Sequence, residues 1–131
     1  MNRWAQKFRA WGRNLKRFRN WTFFVGAPPN APSDFRTTDI GSTAVNFAWT
    51  DNSTNETTFV FQRKLNTAPT FVNCGTSAAN TTAVQITGFR ADNKMDARMR
   101  AENAYGVSSW AGPITFTMGP AGTADPPNPQ Q

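Results

Sequence analysis

Few side chains in this sequence could do chemistry, and the acidic ones come together at one place. Residues 51–56 (DNSTNE) bring Asp51 and Glu56 close in the chain, as the loop of a calcium site would. The run lacks the regular acidic positions and the closing glutamate of an EF-hand loop. We therefore predict a solvated turn between two strands here, with no metal site and no cofactor.

Nucleophilic catalysis also lacks its usual partners. The chain contains no histidine, which excludes Ser–His and Cys–His pairs and metal sites that use imidazole. Its one cysteine, Cys74, follows Asn73 in a segment predicted to lie at a sheet edge, with no base nearby, and is interpreted as a structural thiol. The glycines of residues 119–127 have no lysine, strand or helix around them and predict no phosphate-binding loop. We predict no catalytic residues and no enzymatic activity.

The elements that carry these residues are predicted to be short β-strands. In residues 34–118 apolar and polar side chains alternate with a period of two, and clusters such as DNSTNE and GTSAANTT separate the runs. This pattern is typical of an antiparallel β-sandwich, which buries one face of every strand. The side chains that this alternation predicts for the core are Val45, Phe47, Trp49, Phe59, Phe61, Ile86, Met95 and Met99.

Three segments of the middle zone point to a known family. They are the leading prolines of PPNAPSD, the tryptophan of FAWTDNSTNET, and the run RAENAYGVSSW. Together, over residues 28–118, they resemble a fibronectin type III domain of the bacterial and phage kind. The resemblance implies a mainly β, immunoglobulin-like antiparallel sandwich, with Trp49 as the core tryptophan. It also implies that Asn103 and Gly106 shape the turn between strands F and G, and that Trp110 opens strand G as part of the structural core.

One position departs from the family pattern. A tyrosine usually lies near the start of strand F, where its hydroxyl bonds back to the backbone, and Met95 stands at the corresponding position. Methionine has no hydroxyl to donate. This corner of the sandwich is therefore predicted to lack the hydrogen bond and to be weaker.

Composition divides the chain into four zones. Residues 1–24 contain no proline and are predicted to form an amphipathic α-helix that acts as a basic anchor. Residues 25–33 form a proline-rich linker, because proline cannot continue a helix and favours extended backbone. The sandwich takes residues 34–118. Residues 119–131 form a Pro/Gly-rich tail without a large apolar side chain, and such a segment is predicted not to order itself.

Large apolar side chains recur in residues 1–24 at spacings of three and four. That spacing places them on one face of an α-helix and fits no strand. A helix of this length is marginal alone in water, so its formation is expected to depend on what the apolar stripe covers. The residues predicted to form this anchor are Trp4, Phe8, Trp11, Leu15 and Phe18, with Trp21 beyond them.

The net charge of +6 is a property of the N-terminal end. Residues 1–21 hold seven of the 14 basic residues and no acid, whereas the remainder holds seven basic and eight acidic residues and carries a charge of −1. A partner attracted by charge is therefore expected to meet the N-terminus. The basic residues predicted to contact it are Arg3, Lys7, Arg9, Arg13, Lys16, Arg17 and Arg19.

Four kinds of surface could cover the apolar stripe. One is the chain's own sandwich, although fibronectin type III domains are complete without an added helix. Another is a protein partner in an oligomeric assembly, such as a capsid, a tail or other copies of the chain. The others are the headgroup zone of an anionic membrane, and a nucleic acid whose phosphates meet the basic residues while aromatic rings stack on bases. A continuous apolar face favours a protein partner over nucleic acid, because phosphate binding requires charge alone.

The sequence shows no convincing signal peptide or membrane span. No run reaches the roughly 18 apolar residues of a span, and the apolar run 21–27 is interrupted by Thr22 and Gly26. We expect a non-enzymatic structural or adhesive component of a larger assembly, such as a decoration or spike protein of a phage or virion. The expected location is the surface of a virion or particle, or otherwise the extracellular space or the cell surface.

Overall fold

The computed structural model describes residues 26–130. These residues form eight β-strands, which are β1 (Ser33–Ile40), β2 (Ala44–Thr50), β3 (Thr58–Leu65), β4 (Val72–Ala78), β5 (Ala83–Thr87), β6 (Lys94–Asn103), β7 (Gly106–Val107) and β8 (Ala111–Thr117). The amphipathic helix predicted over residues 1–24 lies outside the described residues.

The strands form two sheets in which every described pairing is antiparallel. The first sheet has the order β1-β2-β5, and the second has the order β4-β3-β6, with β7 and β8 both paired to β6. The predicted mainly β, two-sheet antiparallel sandwich is therefore confirmed. Within residues 26–130 there is no helix with the length and hydropathy to cross a membrane.

Strand β2 shows how the sequence pattern produces this fold. Val45, Phe47 and Trp49 are 0%, 1% and 2% exposed, and they share one face because side chains alternate along a strand. In register with β5, Val45 lies opposite Ile86 and Phe47 opposite Val84. Such cross-strand pairs contribute about 0.2–1 kcal/mol each, so the alternation sets both the buried face and the register.

The core lies between the two sheets and is rich in aromatic rings. The Phe47 ring centroid is 5.1 Å from that of Phe35, and Trp49 lies 5.2 Å from both Phe59 and Phe61 of the facing sheet. Aromatic pairs at these separations contribute about 0.5–1.5 kcal/mol beyond their buried area. The predicted core residues that lie here are Val45, Phe47, Trp49, Phe59, Phe61, Ile86, Met95 and Met99.

Trp110 lies outside this core, contrary to the prediction. It precedes β8, is only half-buried, and has the Arg98 guanidinium 4.1 Å from its ring centroid. The next residue, Ala111, takes the inward position and lies opposite the buried Met99. Because neighbouring side chains of an extended chain point to opposite faces, an inward Ala111 sends Trp110 outward.

Met95 lies at the corner where the sequence resemblance implies a tyrosine in other domains. It is 6% exposed and lies opposite Phe116 in the pairing of β6 with β8. Its unbranched thioether fills core space and offers the backbone no hydroxyl. The corner is thus held by packing.

The segment predicted as a linker, residues 25–33, packs on the sandwich over its described part. Pro29 is buried, and the Ala27 carbonyl accepts hydrogen bonds from Asn103 Nδ2 at 2.8 Å and Asn55 Nδ2 at 3.0 Å. Proline has no N–H to leave unsatisfied, so a proline-rich segment can be buried with few hydrogen bonds. The chain thus enters the sandwich along a fixed path.

The tail also packs on the sandwich, and here the structure differs from the prediction. Pro126 is buried, and the Asp125 carboxylate accepts hydrogen bonds from the N–H groups of Thr43 and Ala44 at 2.9 and 3.1 Å. The contacts come from a carboxylate, backbone carbonyls and proline rings. A composition argument that counts large apolar side chains misses such contacts.

Candidate interaction surface

The outer face of the second sheet is set by the alternation along β6. Four residues of β6 point into the core. The four that alternate with them point outward, and they are Asp96, Arg98, Arg100 and Glu102. In the pairing of β6 with β3, Gln62 lies beside Arg98 and Lys64 beside Asp96. Polar and charged side chains of two adjacent strands are thus brought into rows.

Arg98 lies at the centre of this face. Its guanidinium carbon is 4.1 Å from the ring centroids of both Phe71 and Trp110. Its Nε and Nη2 donate to Gln62 Oε1 at 3.0 and 2.8 Å, and Gln62 Nε2 donates to Asn73 Oδ1 at 2.8 Å. A planar guanidinium can stack on rings and donate at its edge at the same time. Arg98 is therefore held in one orientation.

Arg100 extends the stack towards the turn between β6 and β7. Its guanidinium carbon lies 4.3 Å from the Trp110 ring centroid, and its Nε is 2.9 Å from Glu102 Oε2. Trp110 therefore contacts two guanidinium groups. We call Phe71, Arg98, Trp110 and Arg100 the cation–aromatic ladder.

Asp96 lies on the same face, opposite Lys64 of β3. Its carboxylate accepts hydrogen bonds from Asn66 at 3.0 Å and Thr115 at 2.8 Å, and it lies 3.0 Å from Lys64 Nζ. The hydrogen bond from Asn66, with those from Thr115 and Lys64, lowers the pKa of Asp96 below its ordinary value, against the opposing effect of burial. The carboxylate is thus ionised at neutral pH and orders this corner of the face.

The charges of this face do not cancel. Lys64 pairs with Asp96 and Arg100 with Glu102, while Arg98 forms no ion pair within residues 26–130 and donates to the neutral Gln62. Desolvation, with the nearby Arg100 charge, lowers the pKa of Arg98, but an arginine remains a cation at any physiological pH. The face therefore carries one surplus positive charge between two rings.

The predicted turn at residues 51–56 is less solvated than expected. Glu56 is 6% exposed; it accepts hydrogen bonds from Ser53 Oγ and from the backbone N–H of Asn80, both at 2.8 Å. Although desolvation acts to raise it, these hydrogen bonds hold the pKa of Glu56 below its ordinary value. Glu56 thus ties the turn after β2 to the turn before β5. In the described part of the chain no cluster of acidic or cysteine side chains could hold a metal ion.

Cys74 lies on β4, an edge strand of the second sheet. It is half-buried and packs against the core. Desolvation raises the pKa of its thiol to about 11, against the opposing effect of the Arg63 charge. A thiol with this pKa is a poor nucleophile at neutral pH.

The anchor residues predicted over the N-terminal 21 positions lie outside the described residues. The chain enters the described part at Gly26, which packs against the ring of Tyr105; a Cβ placed on Gly26 would lie 2.0 Å from Tyr105 Cε2. Tyr105 belongs to the turn between β6 and β7. The described part of the chain therefore begins at that end of the sandwich. Residues 26–130 enclose no detectable ligand pocket.

The cation–aromatic ladder could not be predicted from the sequence. The alternation of β6 shows that Arg98 and Arg100 face outward, but nothing in the sequence brings Phe71 to them from the start of a different strand. Trp110 was predicted to be a core residue. The one signal that the sequence offers is the outward-facing pair Arg98 and Arg100, because the register shift that turns Trp110 outward leaves no mark in the alternation.

The fold is similar to several solved structures. Domains from titin match it with a TM-score of 0.63 and 21% identity, and the chicken CNTN1 FN1–FN3 domains match it with a TM-score of 0.65 and 18% identity. These matches cover 70% and 71% of this chain, which spans about a third of those chains, 32% and 33%. The fibronectin type-III domain of human fibronectin type III domain containing protein 3 matches with a TM-score of 0.61 and 19% identity, over 72% of this chain and 90% of that one.

No protein-family model matches the sequence, and no curated protein sequence is significantly similar to it. The sandwich is thus fibronectin type III-like in fold. The bacterial and phage kind predicted from the sequence stays a prediction.

Proposed function

We propose that this chain is a structural or adhesive component of a larger assembly, anchored to a protein partner by residues 1–24. The assembly we propose is a phage or virion particle, with the sandwich projecting from its surface. A fibronectin type III-like sandwich is usually a non-catalytic binding or adhesive module, which supports the general role. The resemblance of the sequence to phage-borne domains supports the particle.

The observation that carries the proposal is that the sandwich fills its own core. Among the described residues, the large hydrophobic side chains left exposed are Leu65, Val72, Tyr105 and Val107. The first two lie near one end of β3 and the others near the opposite end. A strand of this length separates the two pairs by roughly 25 Å, so they form no continuous apolar groove. The helical stripe predicted from Trp4 to Phe18 would be about 21 Å long. The described residues offer it no continuous apolar surface, so a partner fits it better.

The cation–aromatic ladder supports the outward, adhesive half of the proposal. Tryptophan, tyrosine and arginine are the residue types enriched at protein interfaces. Arg98 and Trp110 are already held in place by their neighbours, so little side-chain freedom is lost when a partner binds. The surplus charge of Arg98 favours a partner surface that carries a carboxylate.

Deletion of residues 1–21 tests the anchor. The truncated chain should keep its folded circular dichroism spectrum and its melting temperature, because the core residues of the described part all lie beyond residue 34. It should be lost from purified particles when its copy number is counted by quantitative mass spectrometry. Normal incorporation of the truncated chain would contradict the proposal.

Two further results would show that residues 1–24 bind a membrane or a nucleic acid and not a protein. Co-sedimentation of the full chain with anionic vesicles, with a peptide of residues 1–24 turning helical on them, would show a membrane anchor. Nucleic-acid binding that weakens steeply with salt, and that survives replacement of Trp4, Phe8 and Trp11 by alanine, would show a packaging arm.

A further inference from the structure

The tail segment, residues 119–130, crosses the outer face of the first sheet. At its start the Gly119 N–H donates to the Gly41 carbonyl at 3.0 Å. At its end Gln130 Nε2 donates to Ser77 Oγ at 2.9 Å and to the Ala83 carbonyl at 2.7 Å. The tail therefore runs from the β1–β2 turn to the start of β5.

The β1–β2 turn binds the Asp125 carboxylate. Oδ1 accepts the N–H groups of Thr43 at 2.9 Å and Ala44 at 3.1 Å, and Oδ2 accepts the Thr43 hydroxyl. These hydrogen bonds, led by those from Thr43, lower the pKa of Asp125. Adjacent backbone N–H groups that converge on a carboxylate form an anion-binding concavity.

Two side-chain amides bind the carbonyls of the next two residues. Gln85 Nε2 donates to the Pro126 carbonyl at 2.7 Å, and Asn46 Nδ2 donates to the Pro127 carbonyl at 2.8 Å. Asn46 and Gln85 lie opposite each other in the pairing of β2 with β5, and Gln85 Nε2 also donates to Asn46 Oδ1 at 3.0 Å. Consecutive prolines offer carbonyls and no N–H, so donors are the complementary groups.

The β1–β2 turn also leaves space for the Asp125 backbone. A Cβ placed on Gly41 would lie 2.2 Å from Asp125 Oδ1 and 2.6 Å from Asp125 Cα. The Asp125 backbone can therefore approach this turn only because position 41 has no side chain. Pro126, which follows, is buried, and Asn46, which donates to the Pro127 carbonyl, is 6% exposed.

We propose that the outer face of the first sheet is a recognition site for an extended Asp-Pro-Pro segment, which the chain's own tail fills and the tail of a second copy can also fill. The connection between the anchored Gly119 and the bound Thr123 consists of Pro120, Ala121 and Gly122, all exposed. The site contacts begin at Thr123, whose carbonyl accepts from Ser42 Oγ at 2.9 Å. A tail from another copy can make the same contacts, since none of them involves the connecting residues. This site does not depend on the proposed N-terminal anchor.

Hydrogen exchange tests whether these contacts hold the tail. Replacing Asp125 and Pro126 together by alanine should speed exchange of the Thr43 and Ala44 amides by about tenfold or more, because both lose their acceptor. Pro129 lies in the same tail but is exposed, so Pro129→Ala is the matched control and should leave these amides protected. Unchanged protection in the double variant would overturn the proposal.

Complementation between two full-length variants tests binding by a second copy. The D125A/P126A chain has an open site and a defective tail, whereas Gly41→Ala blocks the site and frees an intact tail. Neither variant alone should dimerise, and their mixture should form a one-to-one complex in light scattering, with Thr43 and Ala44 protected again in the D125A/P126A chain. Asn46→Ala/Gln85→Ala provides a second blocked site if Gly41→Ala does not fold. Equal behaviour of the mixture and the separate chains would overturn binding in trans.

Discussion

Arg98 shows how a single side chain of this protein is fixed by several weak contacts at once. Its guanidinium touches two rings and donates twice to one amide oxygen. Each cation–π contact at a half-exposed site contributes about 0.5–1 kcal/mol. The rigid orientation follows from the sum of these contacts, and each can be removed separately.

A double-mutant cycle tests the ladder. Arg98→Ala and Trp110→Ala should each destabilise the sandwich by about 1 kcal/mol, and the double variant should lose about 0.5–1 kcal/mol less than the two added together. Urea unfolding followed by circular dichroism gives the three free energies. Arg90 is exposed and has no ring contact in the described structure, so an Arg90→Ala/Trp110→Ala cycle should be additive. Additivity in both cycles would contradict a ladder.

Asp96 should make stability depend on pH. Its pKa is lowered in the folded state by the hydrogen bonds from Asn66, Thr115 and Lys64. Its stabilising effect is therefore present above the unfolded pKa of about 3.9 and is lost as pH falls through the lower folded value. Asp96→Asn should flatten the fall in the free energy of unfolding between about pH 5 and pH 2. Asp92→Asn, at an exposed position, is the control; equal slopes for the two variants would contradict this role.

At the residue scale the sequence predicted most of the core but failed at one pair of neighbours. Alternation places Val45, Phe47 and Trp49 on one face without ambiguity. Near β8 the chain offers Trp110 and Ala111 in adjacent positions, and hydrophobicity alone favours the tryptophan as the inward residue. A register irregularity between Ala97 and Met99 in the pairing of β6 with β8 decides otherwise. Such a shift leaves no mark in the hydropathy pattern.

At the scale of elements, β2 and β6 could be predicted because apolar side chains alternate with polar or small ones along both strands. Strand β4 was harder: its residues Gly75–Ala78 fall within a cluster that the sequence predicts as a separator, yet they pair with β3. An edge strand half-exposed on both faces needs little alternation. The tail was missed for a related reason. Its order depends on the Asp125 carboxylate and proline carbonyls, which hydropathy does not count.

The Asn103 side chain connects three segments: the chain before β1, the loop between β2 and β3, and the turn between β6 and β7. Its Nδ2 donates to the carbonyls of Ala27 at 2.8 Å and Asn55 at 3.0 Å, and its Oδ1 accepts the Tyr105 N–H at 2.8 Å. Asn103→Ala should destabilise the sandwich by about 1–3 kcal/mol, because the Asn55 carbonyl and the Tyr105 N–H lose their partner and the Ala27 carbonyl keeps only the bond from Asn55. Thermal and urea unfolding measure the loss.

The control for this variant is Asn73→Ala. Asn73 is exposed, and its side chain joins a single hydrogen bond, with Gln62, so its loss should change stability by less than about 0.5 kcal/mol. Equal effects of the two substitutions would show that Asn103 does not tie the N-terminal linker to the loops.

At the scale of the whole molecule, the described residues form a sandwich that needs no partner to close its core. One sheet is covered by the chain's own tail, and the other presents the cation–aromatic ladder. The described part of the chain begins at the turn between β6 and β7, where Gly26 contacts Tyr105.

A side-chain-resolution image of the full chain in its native assembly would test the proposed anchor. We expect apolar side chains of a protein partner within about 4.5 Å of Trp4, Phe8 and Trp11. Finding those three side chains on the chain's own sandwich, among lipid headgroups or on nucleic-acid bases would contradict a protein-bound anchor.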